Sequence, residues 1–234
     1  MIAAIIAAGR GERLRAGGVT TPKPLIRIAG VPMLDRLLDA VTAVGIARVI
    51  CLLNEEDDTV AEHCRARRRN LDLRVVRRTT PNSMESLFTL APFLDRGRFL
   101  LLTVDAVFGP VVLPRLLATA AAHPDAEGIL AVHQFVDDEK PLWIAADAES
   151  RVIALGPAAE ADLISAGLYV FDPVLFAEIG AARRTGLTAL RQFLHHLHAR
   201  GYRLRVAKVP KTIDVDRPED LHAAAAFVHG AFAE

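Results

Sequence analysis

A glycine-rich turn with two nearby cations lies close to the N-terminus of this 234-residue chain. Gly9 and Gly11 follow an apolar run over 2–8, which is typical of a strand buried on both faces. Glycine lets the backbone turn sharply and bring its N–H groups close to an anion. Arg13 and Lys23 add positive charge, and prolines on both sides stiffen the backbone of Lys23. We therefore predict a phosphate-binding site here.

Two common phosphate-binding motifs do not fit this turn. A Walker A loop needs Gly-x-x-x-x-Gly-Lys-Ser/Thr, which the segment lacks. A dinucleotide fingerprint needs a third glycine where Leu14 stands. A strand, turn and helix with solvated cations is the plain structural alternative. That alternative suits a lone Gly-x-Gly better than a glycine turn and a proline-flanked lysine at this spacing.

The motif Ala-Ala-Gly-x-Gly-x-Arg at 7–13, followed by Pro-Lys-Pro-Leu at 22–25, resembles the nucleotidyltransferases that activate sugar phosphates and related alcohol phosphates. In that family the glycine loop wraps a nucleoside triphosphate. The resemblance therefore implies nucleotide contacts from Ala8, Gly9 and Gly11. It also implies that Arg13 and Lys23 hold the phosphates and are the catalytic residues.

A carboxylate follows the most hydrophobic predicted strand, Arg98 to Val104. Ligands of open α/β sheets gather at the carboxyl ends of strands, and a carboxylate there is costly unless it binds something. An aspartate that caps the helix over 110–122 is the alternative, although that helix starts five residues later. The resemblance implies that Asp105 binds a metal. Family members usually have glycine before this aspartate, whereas this chain has Val104.

Asp214 and Asp216 alternate with apolar residues near the end of the chain. Asp216, with Pro218 and Glu219, has the pattern of a capping box at the start of the last helix, which predicts a structural role. The resembled family has a segment similar to Asp-Val-Asp-x-Pro-Glu-Asp-Leu and places its second metal-binding aspartate at the first position. We therefore carry that role to Asp214 alone. The implied cofactor is Mg²⁺, held by Asp105 and Asp214.

A polar loop over 79–83 leads into a predicted helix. Asn82, Ser83 and Ser86 place polar groups near the helix N-terminus, where anions and polar ligands are favoured. The resemblance implies that this loop contacts the nucleobase. A simple helix cap by Asn82 or Ser83 is equally well supported, and a cap can also contact a ligand.

Two candidate acceptor-binding residues come from later segments. Family members often have a Gly-Leu/Ile-Tyr strand under the acceptor, which here matches 167–169, and Gly167 would let the backbone lie close to the ligand. Many members also use the lysine of a Glu-Lys-Pro motif on the sugar phosphate. In this chain the motif places Lys140 before the predicted strands at 142–146 and 151–155, rather than after a hairpin. A solvated turn therefore stays an alternative for Lys140.

Composition narrows the class of protein. Lys plus Arg and Asp plus Glu each number 28, which argues against a nucleic-acid binder that works by general electrostatics. No apolar run approaches the roughly 20 residues of a membrane helix, and the N-terminus lacks the pattern of a signal peptide. Cys51 and Cys64 are the only cysteines and indicate reduced, buried thiols. The expected location is the cytoplasm, with no membrane partner.

Alternating strands and helices predict a single α/β domain over 1–234. We expect a Rossmann-like mixed, mostly parallel sheet flanked by helices, with a small β-rich acceptor-binding insertion. A late helix over 187–198 mixes Leu, Phe and His, which suggests a contact for a homodimer.

The implied reaction is attack by an acceptor phosphate oxygen on the α-phosphorus of a nucleoside triphosphate, with release of pyrophosphate. The acceptor, a sugar 1-phosphate or similar phosphorylated alcohol, is already anionic. Catalysis therefore needs alignment and charge neutralisation rather than a general base. Two alternatives stay open: a guanylyl- or cytidylyltransferase acting on a pterin cofactor or small alcohol phosphate, and a non-catalytic nucleotide-binding regulatory protein. The sequence specifies neither the base nor the acceptor.

Overall fold

The structure is a computed structural model in which residues 1–67, 71–135, 141–156 and 161–231 are described. The strands, in chain order, are β1 (Ile2–Ala7), β2 (Arg27–Ile28), β3 (Val31–Pro32), β4 (Arg48–Leu53), β5 (Asp72–Arg77), β6 (Phe99–Thr103), β7 (Ala106–Phe108), β8 (Gly128–His133), β9 (Trp143–Ala146), β10 (Val152–Leu155), β11 (Leu163–Phe171), β12 (Leu204–Lys208) and β13 (Thr212–Asp214). The helices are α1 (Glu12–Ala16), α2 (Met33–Ala43), α3 (Asp58–Arg67), α4 (Ser83–Leu90), α5 (Val112–Ala122), α6 (Ile179–Arg184), α7 (Leu190–Ala199) and α8 (Pro218–Ala231).

One half of the central sheet is parallel. Its strands lie in the order β5-β4-β1-β6, and Ile5 is opposite both Cys51 and Leu102. Strands β1, β4 and β6 are largely apolar because both of their faces are covered, as is usual for parallel sheets, whereas β5 at the sheet edge is only partly buried. The carboxyl ends of β1 and β6 lie side by side, with the N–H of Val104 bonded to the carbonyl of Ile6 at 3.1 Å. This edge is where the predicted phosphate turn and Asp105 come together.

The other half of the sheet is organised around β11, which runs antiparallel to β6, β8 and β9. Strand β12 pairs parallel to β8, and β10 pairs antiparallel to β9 at the sheet edge. The register between β11 and β8 shifts between Ser165 and Tyr169, and Gly167 within that shift has a φ of 72°. The mixed, mostly parallel sheet confirms the predicted fold class.

Helices cover both faces of the sheet. On one face α2, α3 and α5 bury Leu37, Val60 and Leu116 against the strands, and on the other face α4 and α7 bury Leu87 and Phe193. This arrangement follows from the amphipathic spacing of the helices, which leaves one apolar stripe for the core.

Helix α7 covers the region that was predicted to form a dimer contact. Its apolar residues are at most 5% exposed and pack inside the chain: Leu190, Phe193, Leu194 and Leu197. The premise of an exposed apolar patch on this helix is therefore wrong. A homodimer stays a prediction without that support.

Two short ribbons lie beside the sheet. In one ribbon, β2 pairs with β3 directly after a 3₁₀ turn at 23–25. The other ribbon pairs β7 with β13, so that Asp214 lies opposite Ala106. The N–H of Val215 also donates to the carbonyl of Asp105 at 3.1 Å. This ribbon therefore carries the late aspartates to the end of β6.

Cys51 and Cys64 are free thiols and both are buried, as predicted. The hydrogen bond with Cys64, together with burial, raises the pKa of the Cys51 thiol well above its usual value. Among the helices of the described ranges, none combines the length and the apolar character needed to cross a membrane.

Candidate active site

The glycine turn connects the end of β1 to the short helix α1. Gly11 has a φ of 60°, in the left-handed region that favours glycine. A Cβ on Gly11 would also lie 3.3 Å from the Cβ of Lys23. Glycine is therefore favoured here both by the backbone conformation and by the close approach of Lys23.

Lys23 is the centre of the ionic contacts at this edge of the sheet. Its side chain is only 8% exposed, and its Nζ donates to Oδ2 of Asp105 at 2.9 Å and to Oδ1 of Asp216 at 2.6 Å. Arg13, which is about half exposed, donates from a terminal guanidinium nitrogen to Oδ2 of Asp216 at 3.2 Å. Both predicted catalytic cations therefore lie together and are held by carboxylates.

The charges of this cluster reinforce one another. Burial alone would lower the pKa of the Lys23 ammonium, but Asp105 and Asp216 outweigh it and raise that pKa above its usual value. Burial would likewise raise the pKa of Asp105, but the Lys23 ammonium holds it below its usual range. Lysine and aspartate are thus both charged at neutral pH.

The predicted metal and acceptor residues lie at the same place. Asp105 follows β6, and the β7–β13 ribbon brings Asp214 beside it. A Cβ on Gly167 would lie 2.9 Å from Oγ1 of Thr103 and 3.8 Å from Oδ1 of Asp214. The backbone of β11 therefore approaches these side chains as closely as only glycine allows. Lys140, the other predicted acceptor residue, lies outside the described residues.

Asp216 does not cap α8, which corrects the prediction from its sequence. Its carboxylate accepts hydrogen bonds from Lys23 and Arg13, and Asp220 holds the helix start instead. Oδ2 of Asp220 accepts from the N–H of Asp216 at 2.9 Å and from the N–H of Arg217 at 2.8 Å. The capping acid is therefore Asp220 rather than Glu219, and Asp216 is released for the site.

A cavity of about 760 Å³ opens over the glycine turn. Its size is within the range of ligand cavities in proteins. All of the predicted nucleotide-binding residues line it: Ala8, Gly9, Gly11, Arg13, Lys23, Asn82, Ser83 and Ser86. Asp105 and Asp216 line it as well, so that cations and carboxylates share one wall.

The polar loop at 79–83 combines the two roles that its sequence left open. Oδ1 of Asn82 accepts from the N–H of Glu85 at 2.9 Å, which makes Asn82 the N-cap of α4. Oγ of Ser83 accepts from the N–H of Leu190 at 3.0 Å, which ties α4 to α7. Because Asn82 and Ser83 also face the cavity, capping and ligand contact are compatible here.

Asn54, which the sequence analysis does not identify, connects two segments that line this cavity, the glycine turn and the loop at 79–83. It is 2% exposed, and its Nδ2 donates to the carbonyl of Ala8 at 3.2 Å. Its Oδ1 accepts from the N–H of Glu56 and from Oγ1 of Thr79. The sequence does contain one indication of this role. Asn54 is an amide side chain directly after the apolar run of β4, at the carboxyl end of a strand, where ligands of α/β sheets gather.

A second cavity of about 290 Å³ adjoins the first, and Ser83, Thr103 and Asp105 line both. Its other walls include Gly167, Tyr169 and Asp214, together with Arg191 at the start of α7. Burial raises the pKa of the Tyr169 hydroxyl to about 12. Arg191 could not be predicted as a site residue, because no motif in the sequence indicates that residue 191 lies at this edge of the sheet.

The donor chemistry of the site fits a hard divalent cation. In the described residues no group of three or more His, Cys, Asp or Glu side chains is arranged to hold a metal. Mg²⁺ does not need such a group, because it is usually held by one or two carboxylates together with substrate phosphates. The ammonium of Lys23 beside Asp105 shows that this place already accepts positive charge.

The fold and the site together are those of an α/β domain with a candidate binding site for phosphate groups. The model of the MobA-like NTP transferase domain matches residues 3–202. The chain therefore belongs to the MobA-like NTP transferase family, and the nucleotidyltransferase class predicted from the sequence is confirmed.

Among similar proteins, the CMP-5'-(3-aminopropyl)phosphonate synthase of Streptomyces rubellomurinus is 32% identical over 158 residues, covering 59% of this chain and 25% of the relative. The bifunctional IPC transferase and DIPP synthase of Rubrobacter xylanophilus is 36% identical over 118 residues, covering 49% and 26%. The chain thus spans about a quarter of these curated relatives. The solved inositol-1-phosphate CTP transferase from T. maritima has the same fold, with a TM-score of 0.84 at 20% identity over 100% of this chain and 96% of that one.

Proposed function

We propose that the chain transfers a cytidylyl group from CTP to a small alcohol phosphate or aminoalkylphosphonate, with release of pyrophosphate. The observation that carries this proposal is the position of Asp105, which lines both adjoining cavities. The larger cavity has the cations and the glycine turn that suit a triphosphate. The smaller one suits a compact acceptor, so that the two substrates would meet at Asp105.

The reaction forms one bond between an acceptor oxygen and the α-phosphorus, and it breaks the bond from that phosphorus to the oxygen of the β-phosphate. Pyrophosphate leaves with the electron pair of the broken bond. Arg13 and Lys23 neutralise the triphosphate and the leaving group, and backbone N–H groups of 9–13 bind its oxygens. The walls of the two cavities align the acceptor with the α-phosphorus, and no residue has to remove a proton from an anionic acceptor.

Asp105 and Asp214 are the residues that would hold Mg²⁺. When bound, this ion neutralises charge at the α-phosphate and reduces the repulsion between two anionic substrates. Both aspartates face the smaller cavity, which supports a role for them at the acceptor side.

The choice of base and acceptor is supported by the similar proteins. The name of one relative contains CMP and a phosphonate, and one solved structure is described as acting with CTP on inositol 1-phosphate. A sugar 1-phosphate is the second candidate acceptor, supported by the match of 167–169 to the family strand that passes under a sugar phosphate. We place the reaction in the cytoplasm, where thiols such as Cys51 and Cys64 stay reduced.

The test is pyrophosphate release with Mg²⁺, measured for CTP, UTP, GTP, ATP and dTTP against four acceptors. The acceptors are 2-aminoethylphosphonate, 3-aminopropylphosphonate, inositol 1-phosphate and glucose 1-phosphate. We expect release with CTP and at least one of these acceptors. If pyrophosphate is released only with another nucleotide, that nucleotide rather than CTP is the substrate. A nucleotide that raises the melting temperature without any pyrophosphate release would instead support a regulatory protein.

A further inference from the structure

Arg10, at the tip of the glycine turn, lies between two cavities. It lines the larger cavity described above, of about 760 Å³. It also lines a third cavity of about 290 Å³, whose other walls are Arg15, Asn54, Glu56 and Asp57. Among the described residues, Arg10 alone lines both of these cavities. Its positive charge can therefore act in either of them.

In this structure Arg10 is paired with Glu56. A terminal guanidinium nitrogen of Arg10 is 3.2 Å from Oε1 of Glu56. Asn54 fixes the two segments relative to each other, because its Oδ1 accepts from the N–H of Glu56 at 3.0 Å and its Nδ2 donates to the carbonyl of Ala8 at 3.2 Å. Since Glu56 lines the third cavity, the pair holds the guanidinium of Arg10 toward that cavity.

The ion pair between Arg10 and Glu56 is one that phosphate can replace. The two side chains are 51% and 66% exposed, and ion pairs between exposed side chains contribute little because water solvates both charges when they separate. A diphosphate group in the larger cavity offers several anionic oxygens, and a guanidinium can bind two of them through parallel hydrogen bonds. Arg10 can therefore exchange Glu56 for phosphate at little cost.

The arrangement of the cavities indicates which phosphates Arg10 would meet. The smaller acceptor cavity joins the larger one at Ser83, Thr103 and Asp105, and none of the residues 8–13 lines it. In phosphoryl-type transfer the entering and leaving oxygens lie roughly in line, on opposite sides of the phosphorus. An acceptor that enters from the smaller cavity therefore places the leaving pyrophosphate on the side of the glycine turn and Arg10.

We propose that Arg10 binds the β- and γ-phosphates, which leave as pyrophosphate, and that Glu56 is a positioning residue that holds Arg10 until these phosphates compete for it. Arg10 is then a third phosphate-binding cation of the site, beside Arg13 and Lys23. The inference rests on the proposed function for the direction of transfer, but it does not depend on which base the nucleotide carries.

Binding of inorganic pyrophosphate tests the role of Arg10 without a nucleotide or an acceptor. Dissociation constants would be measured by isothermal titration calorimetry at one fixed Mg²⁺ concentration. Arg10→Gln should weaken pyrophosphate binding about tenfold or more, as expected for the loss of a charge-assisted hydrogen bond. Arg15→Gln is the matched control, because Arg15 lines the third cavity but not the larger one, and it should change the affinity less than about twofold. Binding of CMP, which has only the α-phosphate, should be unchanged in Arg10→Gln.

The role of Glu56 is tested by a double-mutant cycle. Glu56→Gln should strengthen pyrophosphate binding by up to about fivefold, because the exposed ion pair that it removes is worth at most about that factor. In the Arg10→Gln background the same substitution should have no effect, since there is no cation to release. Asp57→Asn, which removes a negative charge from the same third cavity, should strengthen binding less than Glu56→Gln does.

Thermal melts of the ligand-free variants check that each is folded, and they should match wild type because the pair is exposed. The inference is overturned if Arg10→Gln leaves pyrophosphate binding unchanged, or if it weakens CMP binding equally. An equal effect of Glu56→Gln with and without Arg10 would also overturn it, as would a wild-type protein that does not bind pyrophosphate. The choice of CTP and of the acceptor is judged separately by pyrophosphate release, so that its failure is distinguishable from these outcomes.

Discussion

Among single residues, Asp214 has the position expected of a metal ligand. Its Oδ1 is buried, and β13 holds it opposite Ala106, next to Asp105. Asp214→Asn should lower the rate of pyrophosphate release by roughly 10²-fold or more, because one preorganised negative charge at the cation site is lost. The melting temperature without ligands should hold or rise, since two carboxylates no longer repel each other. Initial rates and thermal melts would be compared with those of Asp72→Asn, which changes an exposed aspartate of β5.

Gly167 is a second residue whose role can be isolated. Gly167→Ala should weaken acceptor binding, raising the acceptor KM, because the new Cβ would lie 2.9 Å from Oγ1 of Thr103. The positive φ of 72° alone should destabilise the fold by about 1 kcal/mol. Gly186→Ala is the matched control, since Gly186 has a φ of 70° and its added Cβ would have no neighbour within 4 Å. Equal acceptor KM values in both variants would show that the close approach at Gly167 is unimportant.

The structure overturns the predicted capping role of Asp216 and leaves the predicted role of Asp214 as a prediction. The pattern placed Asp214 at the site, where the structure brings it together with Asp105, although its role as a metal ligand stays a prediction. The sequence pattern predicts Asp216 as the cap of α8 because Asp216 precedes Pro218 and Glu219. In the structure Asp220 caps the helix instead. The sequence could not show this, because Asp216 is bound by Lys23 and Arg13, which lie 193 and 203 residues away along the chain.

At the scale of elements, the sequence predicts β1 and β6 because each is a short apolar run. The β7–β13 ribbon could not be predicted, since it pairs three residues after Asp105 with three near the end of the chain. Each segment contributes only three residues to the pairing, too few for a periodic pattern to predict a strand, and both segments pack against α8. That Asp214 lies next to Asp105 could therefore be learned only from the structure.

The start of α8 provides a test at this scale. Asp220→Ala should destabilise the protein by about 1 kcal/mol, because the N–H groups of Asp216 and Arg217 lose their acceptor. The free energy of unfolding would be measured by urea denaturation. Glu219→Ala is the control, since Glu219 is exposed and forms an ion pair with Arg217 at 3.6 Å. A larger loss of stability for Glu219→Ala would restore the capping box first predicted from the sequence.

At the scale of the whole molecule, the sequence makes two predictions, the fold class and an apolar dimer patch on the helix over 187–198. The fold class followed from the alternation of strands and helices, and it is confirmed. The premise of an exposed apolar patch on α7 is wrong because an amphipathic helix shows the same pattern whether its apolar face meets its own sheet or a partner. For α7 the sheet and α4 supply that cover, including Phe88 packed edge-on to Phe193 with ring centroids 4.9 Å apart.

The layer that contains α7 also makes the stability of the protein depend on pH. Glu178 is buried where the turn after β11 meets α7, and it accepts a hydrogen bond from Nε2 of His196 at 2.7 Å and one from Tyr202 at 3.4 Å. The bond from His196, aided by Arg200, holds the pKa of Glu178 below its usual value despite burial.

A lowered carboxylate pKa stabilises the folded state above the pKa of the unfolded chain, about 4.3, and this contribution disappears as the pH falls through the folded value. Glu178→Gln should therefore lower the free energy of unfolding by roughly 1–3 kcal/mol at pH 7, and the difference from wild type should shrink below about pH 4. Urea denaturation from pH 3 to 8 would measure it. Glu149→Gln, at an exposed ion pair with Arg151, should match wild type throughout within about 1 kcal/mol. If the Glu178→Gln difference is as large at pH 3 as at pH 7, the group contributes through packing rather than through its charge.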